Sequence, residues 1–203
     1  MIRGKQFSYS YGDKNIYINL TNKCSNNCDF CIRKSDCFDN FNCTLWLEHE
    51  PTVQEVLDSI DEKAFERAEQ IVFCGYGEPT YRINELVELG KYFKSKGKTT
   101  RINTNGQGNL INKKDITPLF EGAIDIVNIS LNESTPEEYQ KICHSIYGKD
   151  VFWEIQDFAE KSKKYVKRVI FSVVDVIPTE SIKKCEEIAK KIGVDFRVRK
   201  YAK

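Results

Sequence analysis

Hydrophobic and polar positions alternate with two periods along this chain. Phe7, Tyr9 and Tyr11 alternate with polar neighbours, and after Gly12-Asp13 the residues Ile16, Ile18 and Leu20 do so again, which predicts a hairpin feeding a first strand. Thr52-x-x-Glu55 behind Pro51 has the form of a capping box, and Val53, Val56, Leu57, Ile60, Ala64 and Phe65 follow at helical spacing, so one helix is expected to about Ala68. Ile71–Phe73 is a buried-type strand, and a helix over Asn84–Lys96 is stopped by Gly97. A third strand spans Thr99–Thr104, a poorer helix Ile111–Gly122 with Pro118 in its first turn, and a fourth strand Ile124–Leu131. Thr135-Pro136-Glu137-Glu138 opens the next helix, and another covers Val151–Tyr165. The pattern closes with a strand at Val169–Val174, a helix lined by Ile182, Cys185, Ile188, Ala189 and Ile192 up to Gly193, and a last strand at Val194–Val198.

Six strands alternating with helical connections imply an α/β protein with a parallel sheet. Right-handed crossovers leave an open doubly wound sheet or a curved, incomplete barrel, between which periodicity does not choose. Function in either collects at the carboxyl ends of the strands. Those ends carry Cys24–Cys31, Gly75–Thr80, Thr104-Asn105-Gly106 and Ser130-Leu131-Asn132, all on one rim. No internal repeat or linker interrupts the chain, so one domain over residues 1–203 is expected.

Composition narrows the function classes. Hydrophobic residues at 40% and aromatic residues at 12% exclude a disordered chain. Lys and Arg number 31 against 30 Asp and Glu, so no basic surplus points to nucleic acid or to a membrane surface. The longest apolar stretch, near Val169–Ile177, is interrupted by Ser172 and Asp175, and the first fifteen residues lack an apolar signal core, so a cytoplasmic protein with no membrane partner is expected.

Five of the eight cysteines (Cys24, Cys28, Cys31, Cys37, Cys43) lie in one short stretch. In a reducing compartment, clustered thiols indicate metal or redox chemistry. The triplet Cys24-x3-Cys28-x2-Cys31 can wrap a soft metal centre, zinc or an iron–sulfur cluster. Simple clusters take four cysteines, so three leave one iron of a cubane open. A zinc site would need Cys37, Cys43 or His49 as its fourth ligand.

With Phe30 in its aromatic position, the triplet resembles the C-x3-C-x-aromatic-C signature of the radical S-adenosylmethionine (SAM) superfamily. Gly75-Tyr76-Gly77-Glu78-Pro79 is similar to that superfamily's Gly-Gly-Glu-Pro segment, Thr104-Asn105-Gly106 to its Thr-Asn-Gly turn, and Ser130-x-Asn132 to its Ser-x-Asp. More narrowly, the Asn-Leu-Thr-Asn-x-Cys entry, the GYGEP loop and the RINTNG strand resemble the TatD-associated radical SAM proteins.

The resemblance implies a partial (β/α)6 TIM-like barrel with an N-terminal β-hairpin extension. Cys24, Cys28 and Cys31 would ligate a [4Fe-4S] cluster, and SAM would fill the rim made by loops near 75–80, 103–106, 128–132 and 172–175. Tyr76, Gly77 and Glu78 would meet its methionine part, and Phe30 would pack near the adenine. Thr104, Asn105, Ser130 and Asn132 are short donors and acceptors suited to ribose hydroxyls and a carboxylate, and Ser172 falls where relatives place a ribose contact. An external one-electron donor of flavodoxin or ferredoxin type, an unidentified substrate and a functional link to a TatD-type nuclease complete the implied partners. The chain would be an enzyme making a carbon radical, with a glycyl-radical-type activase of a protein partner as one subclass; a zinc-binding interaction module is the alternative from another class. Gly75 and Gly77 let backbone approach a ligand, Cys74, Cys143 and Cys185 read as small buried hydrophobes, and Cys37 and Cys43 as incidental or transiently redox-active. Arg197 and Arg199 share one face of the last strand, to meet either a substrate anion or solvent.

Overall fold

Among the described residues eight strands form one sheet whose order is that of the chain: β1 (Arg3–Lys5), β2 (Ser8–Ser10), β3 (Asn15–Ile18), β4 (Gln70–Phe73), β5 (Thr99–Thr104), β6 (Ile126–Ser130), β7 (Arg168–Val174) and β8 (Asp195–Arg199). The computed structural model describes residues 3–5, 7–10, 14–34 and 46–201, so Tyr11, the Gly12-Asp13 turn, Cys37 and Cys43 lie outside the described residues. β1, β2 and β3 pair antiparallel, and every pairing from β3 to β8 is parallel. The N-terminal extension therefore has a strand, β1, that the apolar pattern does not announce.

Helices α1 (Val53–Ser59), α2 (Glu62–Arg67), α3 (Ile83–Ser95), α4 (Gly108–Asn112), α5 (Pro136–Cys143), α6 (Val151–Ser162) and α7 (Thr179–Ile192) fill the crossovers. Their apolar stripes meet Ile16, Ile18, Ile71, Phe73, Ile102, Val127, Ile129, Val169, Phe171 and Val173 in one core outside the sheet. The opposite face carries the alternate residues. There Tyr17, Val72 and Arg101 stand in register across three strands, as do Ser130, Ser172 and Arg197. Val72, Ile170 and Val174 on this face are buried yet belong to no part of the helix-side core.

Curvature explains that burial. Side chains on a face that no helix-side core covers are buried this far only if the strands curl so that the face closes on itself. The sheet curls as an open barrel with β1 and β8 at its edges.

Two expected helices divide. The capping box at Thr52 and Glu55 forms, but α1 ends at Ser59; Ile60 is extended and Asp61 restarts the chain as α2 by accepting the Ala64 N–H. Ser59 Oγ bonds Ser8 Oγ at 2.8 Å and so anchors the break to the hairpin. The stretch 111–122 is not one helix either: α4 ends at left-handed Lys113, and Thr117–Phe120 form a single 3-10 turn with Pro118 at its start.

Candidate functional site

Backbone hydrogen bonds attach the cysteine loop to the end of α5. Asn27 N–H donates to Cys143 O and Asp29 N–H to Ile142 O, each at 3.0 Å, while Ile146 N–H returns to Ser25 O at 3.0 Å. Beneath the loop lies a buried polar cluster. Asn26 Nδ2 donates to Tyr139 Oη at 2.9 Å, and Gln107 Nε2 donates to Tyr139 Oη at 3.0 Å and to Asn26 Oδ1 at 2.7 Å. Asn105 Nδ2 reaches Ser25 Oγ at 2.8 Å. Asn26, Gln107 and Tyr139 carry no sequence signal of this role, since each comes from a different segment.

Cys24, Cys28 and Cys31 are half-buried free thiols. Burial pushes the Cys24 thiol up to about 12, although the Asn26 N–H donates to its sulfur at 3.4 Å. Cys28 is shifted the other way, chiefly by the neighbouring Cys143 thiol. Cys143 is buried in the core as a small apolar side chain, as expected, and Asn132 Nδ2 donates to its sulfur. Among the described residues no three His, Cys, Asp or Glu side chains gather around a point that would hold a single metal ion. A cubane takes each thiolate on a different iron and needs no such point. Of the zinc alternatives, His49 pairs with Glu55 at 2.9 Å, and its side chain is exposed.

Glu78 is the buried hub of the rim. Its carboxylate accepts from Thr80 N at 3.1 Å, Thr80 Oγ1 at 2.8 Å, Thr104 Oγ1 at 2.7 Å and Asn105 N at 2.7 Å. Burial still raises the carboxyl above its ordinary range. Gly75 and Gly77 serve close packing of protein on protein. A Cβ at Gly77 would lie 2.3 Å from Thr21 O and 2.5 Å from Lys23 O, and one at Gly75 would lie 2.2 Å from Asn19 Oδ1. The loop is thereby pressed onto the segment that delivers Cys24, and the Glu78 N–H donates to Lys23 O at 2.8 Å.

The structure joins Thr104, Asn105 and Glu78 directly to one another and, through Ser25, to the cysteine loop. Ser130 and Ser172 are register partners on the concave face; Ser172 Oγ accepts from Asn128 Nδ2 at 3.2 Å, and Ser130 Oγ accepts from Arg199 Nη2 at 3.4 Å. Asn132 adopts a left-handed φ of 60°, donates to Cys143 Sγ at 3.6 Å and leaves its buried Oδ1 without a partner. Phe30 packs against the edge of the core. The Tyr76 ring lies 6.3 Å from that of Trp46.

The Radical SAM superfamily profile matches residues 18–192. The chain belongs to the radical SAM superfamily. It is 28% identical over 155 residues to a probable GTP 3',8-cyclase of Thermococcus kodakarensis, covering 76% of this chain and 45% of that protein. It is 35% identical over 85 residues to a putative glycyl-radical enzyme activating enzyme of Methanocaldococcus jannaschii, covering 41% of this chain and 30% of that one. The chain thus spans less than half the length of the curated relatives it matches. In fold it is similar to Streptococcus suis SuiB bound to S-adenosylmethionine (TM-score 0.65, 17% identity, 96% of this chain and 42% of that chain). It is also similar to methylornithine synthase PylB (TM-score 0.59, 16% identity, 95% and 55%).

Radical SAM proteins use a [4Fe-4S] cluster and SAM. The residues present fit that pair: three free thiols on one clamped loop suit a cluster with one open iron, and the unpartnered Asn132 Oδ1 at the rim suits a polar ligand. No described helix is long and apolar enough to cross a membrane.

Proposed function

We propose that this chain is the catalytic core of a radical SAM enzyme, with Cys24, Cys28 and Cys31 as the cluster ligands. The observation that carries the reading is the clamping of this triplet at the strand ends of a barrel whose profile match runs from residue 18 to 192. When bound, a reduced cluster and SAM would supply the electron and the sulfonium carbon–sulfur bond for radical chemistry at a substrate C–H bond.

The chain's own residues position and enclose. The Tyr139–Gln107–Asn26 cluster fixes the cysteine loop on α5. Glu78 locks Thr104 and Asn105, so that Tyr76, Gly77, Asn105, Ser130, Asn132 and Ser172 form the SAM rim beside Phe30. The Asn132 carbonyl then finds the partner it otherwise lacks. The electron comes from an external flavodoxin- or ferredoxin-type donor in the reducing cytoplasm. Its entry motif, GYGEP loop and RINTNG strand support a place among the TatD-associated radical SAM proteins, and so a functional link to a TatD-type nuclease.

Anaerobically reconstituted protein should be brown and form 5'-deoxyadenosine from SAM and dithionite, and Cys28→Ala should lose the cluster. Full iron occupancy without 5'-deoxyadenosine, unaltered iron in the variant, or a colourless protein with stoichiometric zinc would each refute the proposal. A second reading, activation of a glycyl-radical protein, is favoured by the 35% identity to the putative activating enzyme. It predicts a glycyl doublet by electron paramagnetic resonance on a partner protein.

A further inference from the structure

Three arginines stand on the concave face of the sheet, in register with Val72, Ser172 and Val174. Arg101 comes from β5, and Arg197 and Arg199 come from alternate positions of β8, three strands away in the sheet order. Each of Arg101 and Arg199 lies in the field of Arg197, and Arg199 also in that of Arg101. The Nε atoms of Arg101 and Arg199 are both buried and lack any hydrogen-bond partner.

The groups around them are neutral acceptors or weak acids: Tyr17 from β3, Cys74 past β4, Ser130 from β6 and Cys28 of the cysteine loop. Among the described residues none of the three arginines pairs with a carboxylate. Arginines elsewhere in the fold do pair: Arg82 lies 2.8 Å from Glu85 and 3.5 Å from Glu50, and Arg168 bonds Asp195. Burial first, and then the neighbouring guanidiniums, lower the Arg101 and Arg199 values. A guanidinium does not lose its proton in a protein, so the positive charge stays. Desolvated, repelling and under-bonded donors of this kind are destabilising unless something negative completes them.

We infer that the concave face of the barrel binds an oxyanion, a carboxylate or phosphate of a small-molecule substrate, on the forks of Arg101 and Arg199, with Arg197 at its exposed side and Ser130 beside it. Only the word substrate rests on the radical SAM reading; the anion site itself stands on the arginines. The planar forks match two oxygens at once, which orients the ligand as well as binding it.

Calorimetric titration of the reconstituted holoprotein with pyrophosphate and, separately, with malonate, at fixed ionic strength, tests this. Saturable one-site binding of at least one probe is expected, and the tighter probe identifies phosphate or carboxylate as the natural group. Arg101→Gln and Arg199→Gln should each weaken it at least tenfold, Arg199→Lys less, and the surface variant Arg168→Gln not at all. The binding probe should also raise the wild-type melting temperature in a concentration-dependent way, a readout that needs no variant. Saturating SAM should leave the probe's affinity unchanged; competition would give the arginines to SAM's own carboxylate and overturn the substrate assignment. Absence of saturable binding, or binding unchanged in both glutamine variants, would overturn the site. Anion binding is read without turnover, so a protein that binds probe but makes no 5'-deoxyadenosine refutes the radical reading alone, and one that makes it but ignores both probes refutes only this site.

Discussion

Glu78 Oε2 accepts the backbone N–H of Asn105 at 2.7 Å, and through that one bond the loop after β4 holds the loop after β5. The acceptor is a carboxylate only 2% exposed, whose other oxygen takes both Thr hydroxyls and the Thr80 N–H. Two rim loops, otherwise separate in the chain, share one charged hub.

Glu78→Gln should therefore cost more than a surface change. An amide turned into this pocket presents N–H groups to donors, leaving buried partners unsatisfied at about 1–3 kcal/mol. The urea midpoint should fall with little change in slope. An unaltered midpoint would show that the hub is not holding the rim.

Tyr139→Phe removes the oxygen that accepts from both Asn26 and Gln107. Two buried amides lose a partner, so a loss of about 1–3 kcal/mol is expected. Because Asn26 sits between Cys24 and Cys28, iron release to a chelator should quicken severalfold. Parent-like release would separate this cluster from the cysteine loop.

Gly77→Ala forces a methyl onto backbone atoms, with Thr21 O at 2.3 Å and Lys23 O at 2.5 Å. Backbone cannot swing aside like a long side chain, so overpacking of about 1–3 kcal/mol is expected. The melting temperature should drop by several degrees, and Cys24, next to Lys23, should lose iron occupancy. A variant that melts and loads like the parent would contradict the close approach.

Asp125 accepts from Lys94 Nζ at 2.6 Å, Lys167 Nζ at 3.0 Å and Thr100 N at 3.1 Å. Burial raises its carboxyl, but the lysines and Thr100 outweigh it and hold the group at about 2. An unfolded aspartate titrates near ~3.9, so the stabilisation is present above roughly pH 4 and is lost as pH falls through about 2. The stability gap between parent and Asp125→Asn should be constant near neutrality and shrink between about pH 4 and 2. Urea titrations at several pH values would show it, and a pH-independent gap would remove Asp125 from the ledger of ionised contacts.

Local signals carried the sequence reading where they were strong. The strand over Thr99–Thr104 appears residue for residue, as do the Thr52–Glu55 box and the Thr135 cap, because alternation and capping act within a few residues. The break at Ile60-Asp61 escaped because apolar spacing continues through it, while the cap that restarts the helix is one aspartate among many. The roles of Glu78, Gln107 and Tyr139 were illegible for another reason: the bonds by which they join separate loops span 26 to 113 positions of the chain.

The sequence by itself determined the order of the six parallel strands, the carboxyl-end placement of the cysteine triplet and the motif resemblance, since side-chain periodicity and spacing are properties of the local backbone. Only the tertiary structure decided what Arg101 faces. Reading β5 alone gives an arginine on the non-core side; the curl of the sheet, summed over several twisted strand pairs, sets it opposite Arg197 and Arg199. Proximity across a concave face depends on the cumulative geometry of every strand between, and no short stretch of residues encodes it.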